Sequence, residues 1–379
     1  MPKIKRISGV TICSLSIFLL MVSALFLFSC GEKGKGKSKY VPMFKGGVER
    51  TGSYSARGKP PSGKILWKFK TERDIYSAPA VSDGVVFFGS QDRNLYAVDA
   101  KKGDEKWRFN AGHWVSSSPA ILDGVVYVGC YDDHLYAVDE ETGVEKWRFK
   151  AEKDISSSPL VSGGVVYFGS MDDNLYAVDT ATGKEKWHFK TEGDVNSSPA
   201  ISEGVVFVGS KDKHLYAVDV LTGVEKWRFK ANGDIVSTPA ISEGMVFVGS
   251  ADSIIYALDV NSGVEMWRFK TGGYVMSSPA VFDGVVYFGS KDANLYAVEA
   301  LSGIELWRFK AENDIHSSPV VSKDVVYFGG MDGNLYAVDA MTGAEKWRIK
   351  TGGGILSSPM IYKGVVYFGS YDDFLYAIE

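Results

Sequence analysis

Cysteine is almost missing from this sequence. There are three in 379 residues, Cys13, Cys30 and Cys130, with no adjacent pair and no C-x-x-C-H run. A vicinal disulfide and a covalent haem site are thereby excluded. Histidine is nearly as scarce. His113, His134, His188, His214 and His316 are scattered and form no H-E-x-x-H motif. An excess of positive charge is lacking too, with 42 Lys plus Arg against 46 Asp plus Glu. That balance argues against nucleic acid as the main partner, because nothing is in surplus to neutralise phosphates. Helical periodicity of useful length is absent. What the chain has is 45% hydrophobic residues and 13% aromatics, a globular composition rather than a disordered one.

The N-terminus carries an export signal. "MPKIKR" is basic, and an apolar run follows that ends in "LFSC", Leu27 to Cys30. Leu three places before a Cys, with Ser just before it, resembles a bacterial lipobox. The resemblance implies a signal peptide over 1–29 and a lipid on Cys30. An uncleaved signal-anchor helix and an ordinary cleaved signal are the alternatives, and all three export the domain. Gly31 after the Cys, rather than Asp, implies the outer membrane (periplasmic face) in a two-membrane organism and the cell surface otherwise. Without Lys3, Lys5 and Arg6, 39 bases face 46 acids. Residues 30–42, the lipidated Cys and a Lys/Gly-rich stretch, read as a flexible tether. Gly31 to Ser38 matches a phosphate-loop pattern, but no strand precedes it and no helix follows, as that chemistry requires.

Beyond residue 64 one sentence repeats every 40 residues. Trp67, Trp107, Trp147, Trp187, Trp227, Trp267, Trp307 and Trp347 keep that spacing. So do eight Pro from Pro79 to Pro359, and Asp92, Asp132, Asp172, Asp212, Asp252, Asp292, Asp332 and Asp372. Within the second unit, "VSSSPAIL" (115–122), "VVYVG" (125–129), "LYAVD" (135–139) and "EKWRFK" (145–150) read as four strands. Asp123-Gly124 makes a tight hairpin between the first two. Four antiparallel strands per repeat is a propeller blade. The expected fold is all-β: an eight-bladed β-propeller over 65–379, with four antiparallel strands per blade. Small residues such as Ser117, Ser118 and Ala120 suit the crowded axis, and Trp147 and Phe149 suit the wider gap outside. The eighth unit stops after its third strand, and "ILWKFK" (65–70) supplies the missing outermost strand at the other terminus. Cys130 stands where other units have Ser90, Ser170 or Ser210, and reads as a small packed residue.

"AVDEETGVEKW" (137–147) resembles the tryptophan-docking repeat of pyrroloquinoline-quinone-type propellers, A-x-D-x-x-T-G-x-x-x-W. It recurs strictly at 177–187 and 217–227, with Ser262, Glu299 and Lys102 as departures. "MFKGGVERTG" (43–52) resembles the lead-in of the same group, so 43–64 is read as a lead-in segment. The family holds enzymes and scaffolds alike. Its quinoprotein dehydrogenases would imply a quinone, a calcium ion and a catalytic Asp, often above a Cys-Cys disulfide that this sequence lacks. Its BamB-like lipoproteins imply assistance of β-barrel assembly without a cofactor, and are the closer match in overall character. Sensor propellers of membrane kinases are a third branch, though no kinase signature is present.

Non-equivalent positions are where unique function must sit. Two loops on one face collect them, giving Tyr76, Trp114, Tyr131, Tyr274, His316, Met331 and Tyr371 as binding-face candidates. The competing role for Trp114 and Tyr274 is to shield loop backbone. The eight recurrent Asp invite a metal reading, but eightfold recurrence favours turn capping. His316 with Asp314 is the one acid–base hint, and Asn196 with Asp194 offers too few oxygens for calcium. No catalytic or metal residue is assigned. The expected function is a lipid-anchored, non-catalytic envelope scaffold binding proteins, with the β-barrel assembly machinery as the candidate the resemblance implies. A small-ligand or carbohydrate sensor, and a quinone- and calcium-dependent oxidoreductase, are the alternatives.

Overall fold

Each blade starts from a turn that the sequence dictates. Asp123 and Gly124 take φ of 51° and 77°, the paired positive values of a two-residue hairpin whose twist matches its strands. The same place in other blades is filled by Asp83-Gly84, Glu203-Gly204 and Lys363-Gly364. The computed structural model describes residues 43–54 and 60–379. The expected signal peptide (1–29), the expected lipidation site Cys30 and the expected tether lie outside the described residues.

Among the described residues there are eight four-stranded antiparallel sheets. Blade 1 consists of Ala80–Ser82, Val85–Gly89, Asn94–Asp99 and Glu105–Asn110, from axis to rim. Blades 2 to 7 repeat it at the 40-residue spacing. Blade 8 consists of Met360–Tyr362, Val365–Gly369 and Phe374–Ile378, and its outermost strand is Ile65–Lys70. The chain thus closes on itself, with Trp67 opposite Ala377 and Phe69 opposite Leu375. Lys64 and Glu379 exchange two backbone hydrogen bonds of 2.9 Å just beyond the ladder.

The innermost strand is shorter than its sequence suggests. The strand expected over 115–122 is only Ala120–Leu122. Pro119 cannot donate to a ladder, and the serines before it bond elsewhere. Ser118 N donates to Ser158 Oγ of the next blade at 3.1 Å, and Ser117 Oγ accepts from Gly129 N at 3.1 Å. The third strand begins one residue earlier than expected, at His134.

Blades lock through their tryptophans. A bulge in the outer pairing, between Ala137 and Val138 in blade 2, precedes each contact with Trp. Trp147 leans on Tyr127 with ring centroids 5.8 Å apart. Its Nε1 donates to Thr180 O of blade 3 at 3.0 Å, and its ring covers Gly183. Equivalent bonds of 2.8–3.2 Å join blade to blade around the ring. Blade 8 has no turn between third and fourth strands to receive Trp347. Pro61 O accepts that indole N–H at 2.9 Å, and Gly63 (φ 90°) lies beneath the ring.

Residues 43–54 occupy the axis. Val48 O, Glu49 O, Thr51 O and Gly52 O accept from Ile201, Ile241, Val281 and Val321 N on the innermost strands of blades 4 to 7, at 2.8–2.9 Å. Two cations are buried there. Arg50 is wholly inaccessible, and its guanidinium donates to Pro199 O (3.1 Å), Pro159 O (2.9 Å) and Phe44 O. Lys45 Nζ donates to Ser278 O at 2.9 Å and to Pro279 O. Burial, then repulsion from Arg50, pushes the Lys45 ammonium well below its usual range. Carbonyls that end the inner loops of blades 3, 4 and 6 therefore form the cation-binding part of the channel wall.

Candidate binding face at the propeller mouth

Two loops meet on one face because their backbones bond to each other. In every blade the loop after the second strand donates an N–H to the loop that enters the blade. Gln91 N reaches Asp74 O, Tyr131 N reaches Trp114 O, and Tyr371 N reaches Gly354 O, all at 3.0 Å. This stacking turns position 76 and its counterparts toward the axis. Tyr76, Ser116, Ser156, Asn196, Val236, Met276, His316 and Leu356 ring a central cavity of about 280 Å³. Ser118, Ser158, Ser198, Thr238, Ser318 and Ser358 line it below, and Phe44 of the axial segment is its floor.

The ring is lopsided. Tyr76 and Tyr371 have centroids 4.7 Å apart. Trp114 lies 5.9 Å from Tyr131 and 5.2 Å from His113. Blades 8, 1 and 2 therefore present an aromatic arc. Tyr76, Tyr131 and His316 line the cavity, whereas Trp114 lines a neighbouring cleft of about 730 Å³ with Arg73, Arg93 and His113. Burial and a hydrogen bond with Tyr76 push the Tyr371 hydroxyl up. Burial, then the Asp154 charge, does the same to Tyr131. Tyr274 stands apart, 51% exposed, with Lys291 Nζ 5.6 Å from its ring centre. Met331 packs its thioether beside Gly354 and is not part of the cavity lining.

The recurrent aspartates are held within their blades. Asp292 Oδ2 accepts from Tyr296 Oη at 2.7 Å and from Gly272 N at 2.7 Å, and Oδ1 accepts from Asn294 N at 2.9 Å. The Tyr bond recurs in all eight blades, at 2.6–2.8 Å. Burial alone would raise the Asp292 carboxyl, but the bonds from Tyr296, Gly272 N and Asn294 outweigh it and hold it below the usual range. Burial and the same bond push Tyr296 up to about 12. Cys130 is buried, its Sγ 3.4 Å from His113 O, and burial pushes its thiol up.

His316 Nε2 is 3.7 Å from Asp314 Oδ2. Burial, then Lys291, lowers its pKa against the pull of Asp314. Asp194 is 2.8 Å from Lys211 Nζ, and Asn196 Oδ1 is buried without a hydrogen-bond partner. Among the described residues, no three His, Cys, Asp or Glu gather as metal ligands. The cavity lining offers hydroxyls, an amide and an imidazole but no carboxylate, which does not fit a calcium-bound quinone.

Comparison with known families decides the kinship. A model described as outer membrane protein assembly factor BamB matches residues 55–159, 138–236, 222–308 and 291–379. The chain belongs to the BamB family. BamB from Moraxella catarrhalis superposes with a TM-score of 0.74 at 18% identity, over 84% of this chain and 99% of that one. The computationally designed Ika8 protein gives 0.76 at 21%, over 83% and 99%. A quinohemoprotein alcohol dehydrogenase from Comamonas testosteroni gives 0.77 at 16%, over 89% and 80%. At these identities the likeness shows the fold alone, one that a designed protein and a dehydrogenase share. No curated protein matches by sequence.

Sequence reasoning missed Lys45, Arg50 and Phe44. They lie outside the repeat, so no periodicity marked Lys45 and Arg50 as buried or Phe44 as lining the cavity.

Proposed function

We propose that this BamB-family chain is a non-catalytic, lipid-anchored envelope scaffold whose mouth face binds a protein partner, in assisting β-barrel outer-membrane protein assembly. The aromatic arc of Tyr371, Tyr76, Trp114 and Tyr131, set on an axis filled by the chain itself, carries the reading. Half-exposed aromatic rings are low-entropy anchors for protein contacts. The recurrent carboxylates, engaged by Tyr and loop N–H groups, brace blades. Acylation of Cys30 would set the face's position. Twelve residues separate Cys30 from Met43, a reach of at most about 45 Å, and Phe44 lies at the mouth. An acylated Cys30 would keep the mouth within that reach of the membrane surface.

The test is crosslinking and purification of the full-length protein from native membranes. Outer-membrane assembly proteins should be recovered, and recovery should fall at least about tenfold for a Trp114→Ala, Tyr131→Ala variant. Their absence from the wild-type sample would refute the proposal. A small-ligand sensor is the second reading, favoured by the hydroxyl-lined cavity and the unpartnered Asn196 Oδ1. A ligand-induced rise in melting temperature, abolished by Asn196→Ala, would support it.

A further inference from the structure

The face opposite the mouth is not symmetric. It carries the turns between third and fourth strands, and their side chains change character around the ring. In blades 4, 6 and 7 the tip of that turn is Leu221, Leu301 and Met341, with Leu221 84% and Met341 82% exposed. Blades 1 to 3 have Lys101, Glu141 and Ala181 there. Just before the fourth strand, blades 4 to 6 expose Val224, Val264 and Ile304.

The outermost strands differ most. In blades 2, 3, 4 and 7 a lysine near the start of that strand pairs with the aspartate ending the third: Lys146–Asp139, Lys186–Asp179, Lys226–Asp219 and Lys346–Asp339, at 2.8–3.3 Å. Blades 5 and 6 have Met266 and Leu306 in its place, 58% and 52% exposed, beside Asp259 and Glu299. An edge lysine opposes pairing with another chain. Blade 8 has Leu66 there, 39% exposed, and the neighbouring blades 5 and 6 have exchanged that guard, and its ion pair, for more exposed apolar side chains.

We propose that two copies of this chain associate through this arc, about a two-fold axis beside the outermost strands of blades 5 and 6. The area suffices. Eight more-than-half-exposed apolar residues (the three tips, the three preceding positions, Met266 and Leu306) at about 100 Å² each offer roughly the 800 Å² that one partner gives a standard interface. A monomer rarely shows more than a few hundred Å² of apolar patch. The charges suit a two-fold. The strand Glu265–Lys270 is acidic at its start and basic at its end. Antiparallel apposition with its own copy brings the acidic start of each strand toward the basic end of the other. A membrane fits less well, because Phe44 places the start of the described chain at the other face.

The test uses the full-length protein in mild detergent, with mass measured by sedimentation equilibrium across a concentration series. The wild type should form dimers. Met266→Lys with Leu306→Lys should raise the dimer dissociation constant at least about tenfold. That variant gives blades 5 and 6 the residue their siblings already carry, so it should fold with an unchanged far-UV circular dichroism spectrum. Val144→Lys, an exposed apolar change on the far side of the ring, should leave association unaltered. A wild type that stays monomeric throughout overturns the proposal. So does a dimer that survives the double substitution, or a monomer whose affinity for zwitterionic lipid vesicles the double substitution abolishes.

Discussion

Gly343→Ala separates the docking of one tryptophan from the conformational demand of its glycine. Gly343 has φ of 70°, and a Cβ there would lie 2.6 Å from Trp307 Cε3. Left-handed backbone costs an alanine about 1 kcal/mol. The clash adds to it, because the indole must leave its seat. Trp307 would lose the bond from Nε1 to Ala340 O, now 3.0 Å, for about 1 kcal/mol. Losing half of a large ring's packing costs about 1–2 kcal/mol more. The total is about 3–4 kcal/mol. Gly284→Ala is the control, with φ of 72° and nothing within 4 Å of the added carbon, so only the backbone cost of about 1 kcal/mol applies. Urea unfolding followed by circular dichroism should separate the two by about 2–3 kcal/mol at unchanged slope. Equal losses in both variants would refute the docking argument.

Two further outcomes follow from the same geometry. Deleting everything before residue 71 removes the strand Ile65–Lys70, with its half-buried Trp67 and Phe69, and should cost more than about 5 kcal/mol, comparable to a whole domain's stability. A monomeric, protease-resistant product would contradict it. Alkaline stability should follow the tyrosines. Tyr296 and Tyr287 are raised to about 12 by burial first. A phenol that binds its proton more tightly when folded stabilises fully below its unfolded pKa near 10, and that stability is lost as pH rises through 12. Tyrosinate absorbance should therefore appear together with unfolding in that window. Ionisation of most tyrosines near pH 10 in a still-folded protein would count against it.

The ring was legible because its determinants repeat. Trp147, Asp132 and the Asp123-Gly124 turn each act within one blade or on the next, so one period contains the whole contact. The closing strand was legible as a fourth strand displaced to the other terminus. The length of the inner strand was not. Ser118 reads like any β-compatible residue, and only the position of Ser158 in the next blade shows its N–H satisfied outside a ladder. The mouth was half legible. Equivalent loop positions pointed to Tyr76, Tyr131 and His316, but their separation from Tyr274 and Met331 depends on side-chain direction. Arg50 was illegible for a different reason. A charged residue in a Gly-rich stretch looks solvated until the inner loops of blades 3 and 4 are seen to turn carbonyl oxygens toward it.

The axial segment and the closing strand impose an order of events. Lys64 finds Glu379 across 315 residues, so what leaves the ribosome first is fastened last. Until blades 3 to 7 exist, the stretch that will fill the axis has no walls, and its two cations remain in water. Such long-range closure is slow, and meanwhile near-identical blades offer their edges to the wrong neighbours. Export in an unfolded form, with assembly deferred until the entire chain has crossed, suits a molecule that must gather its sheets around its own beginning.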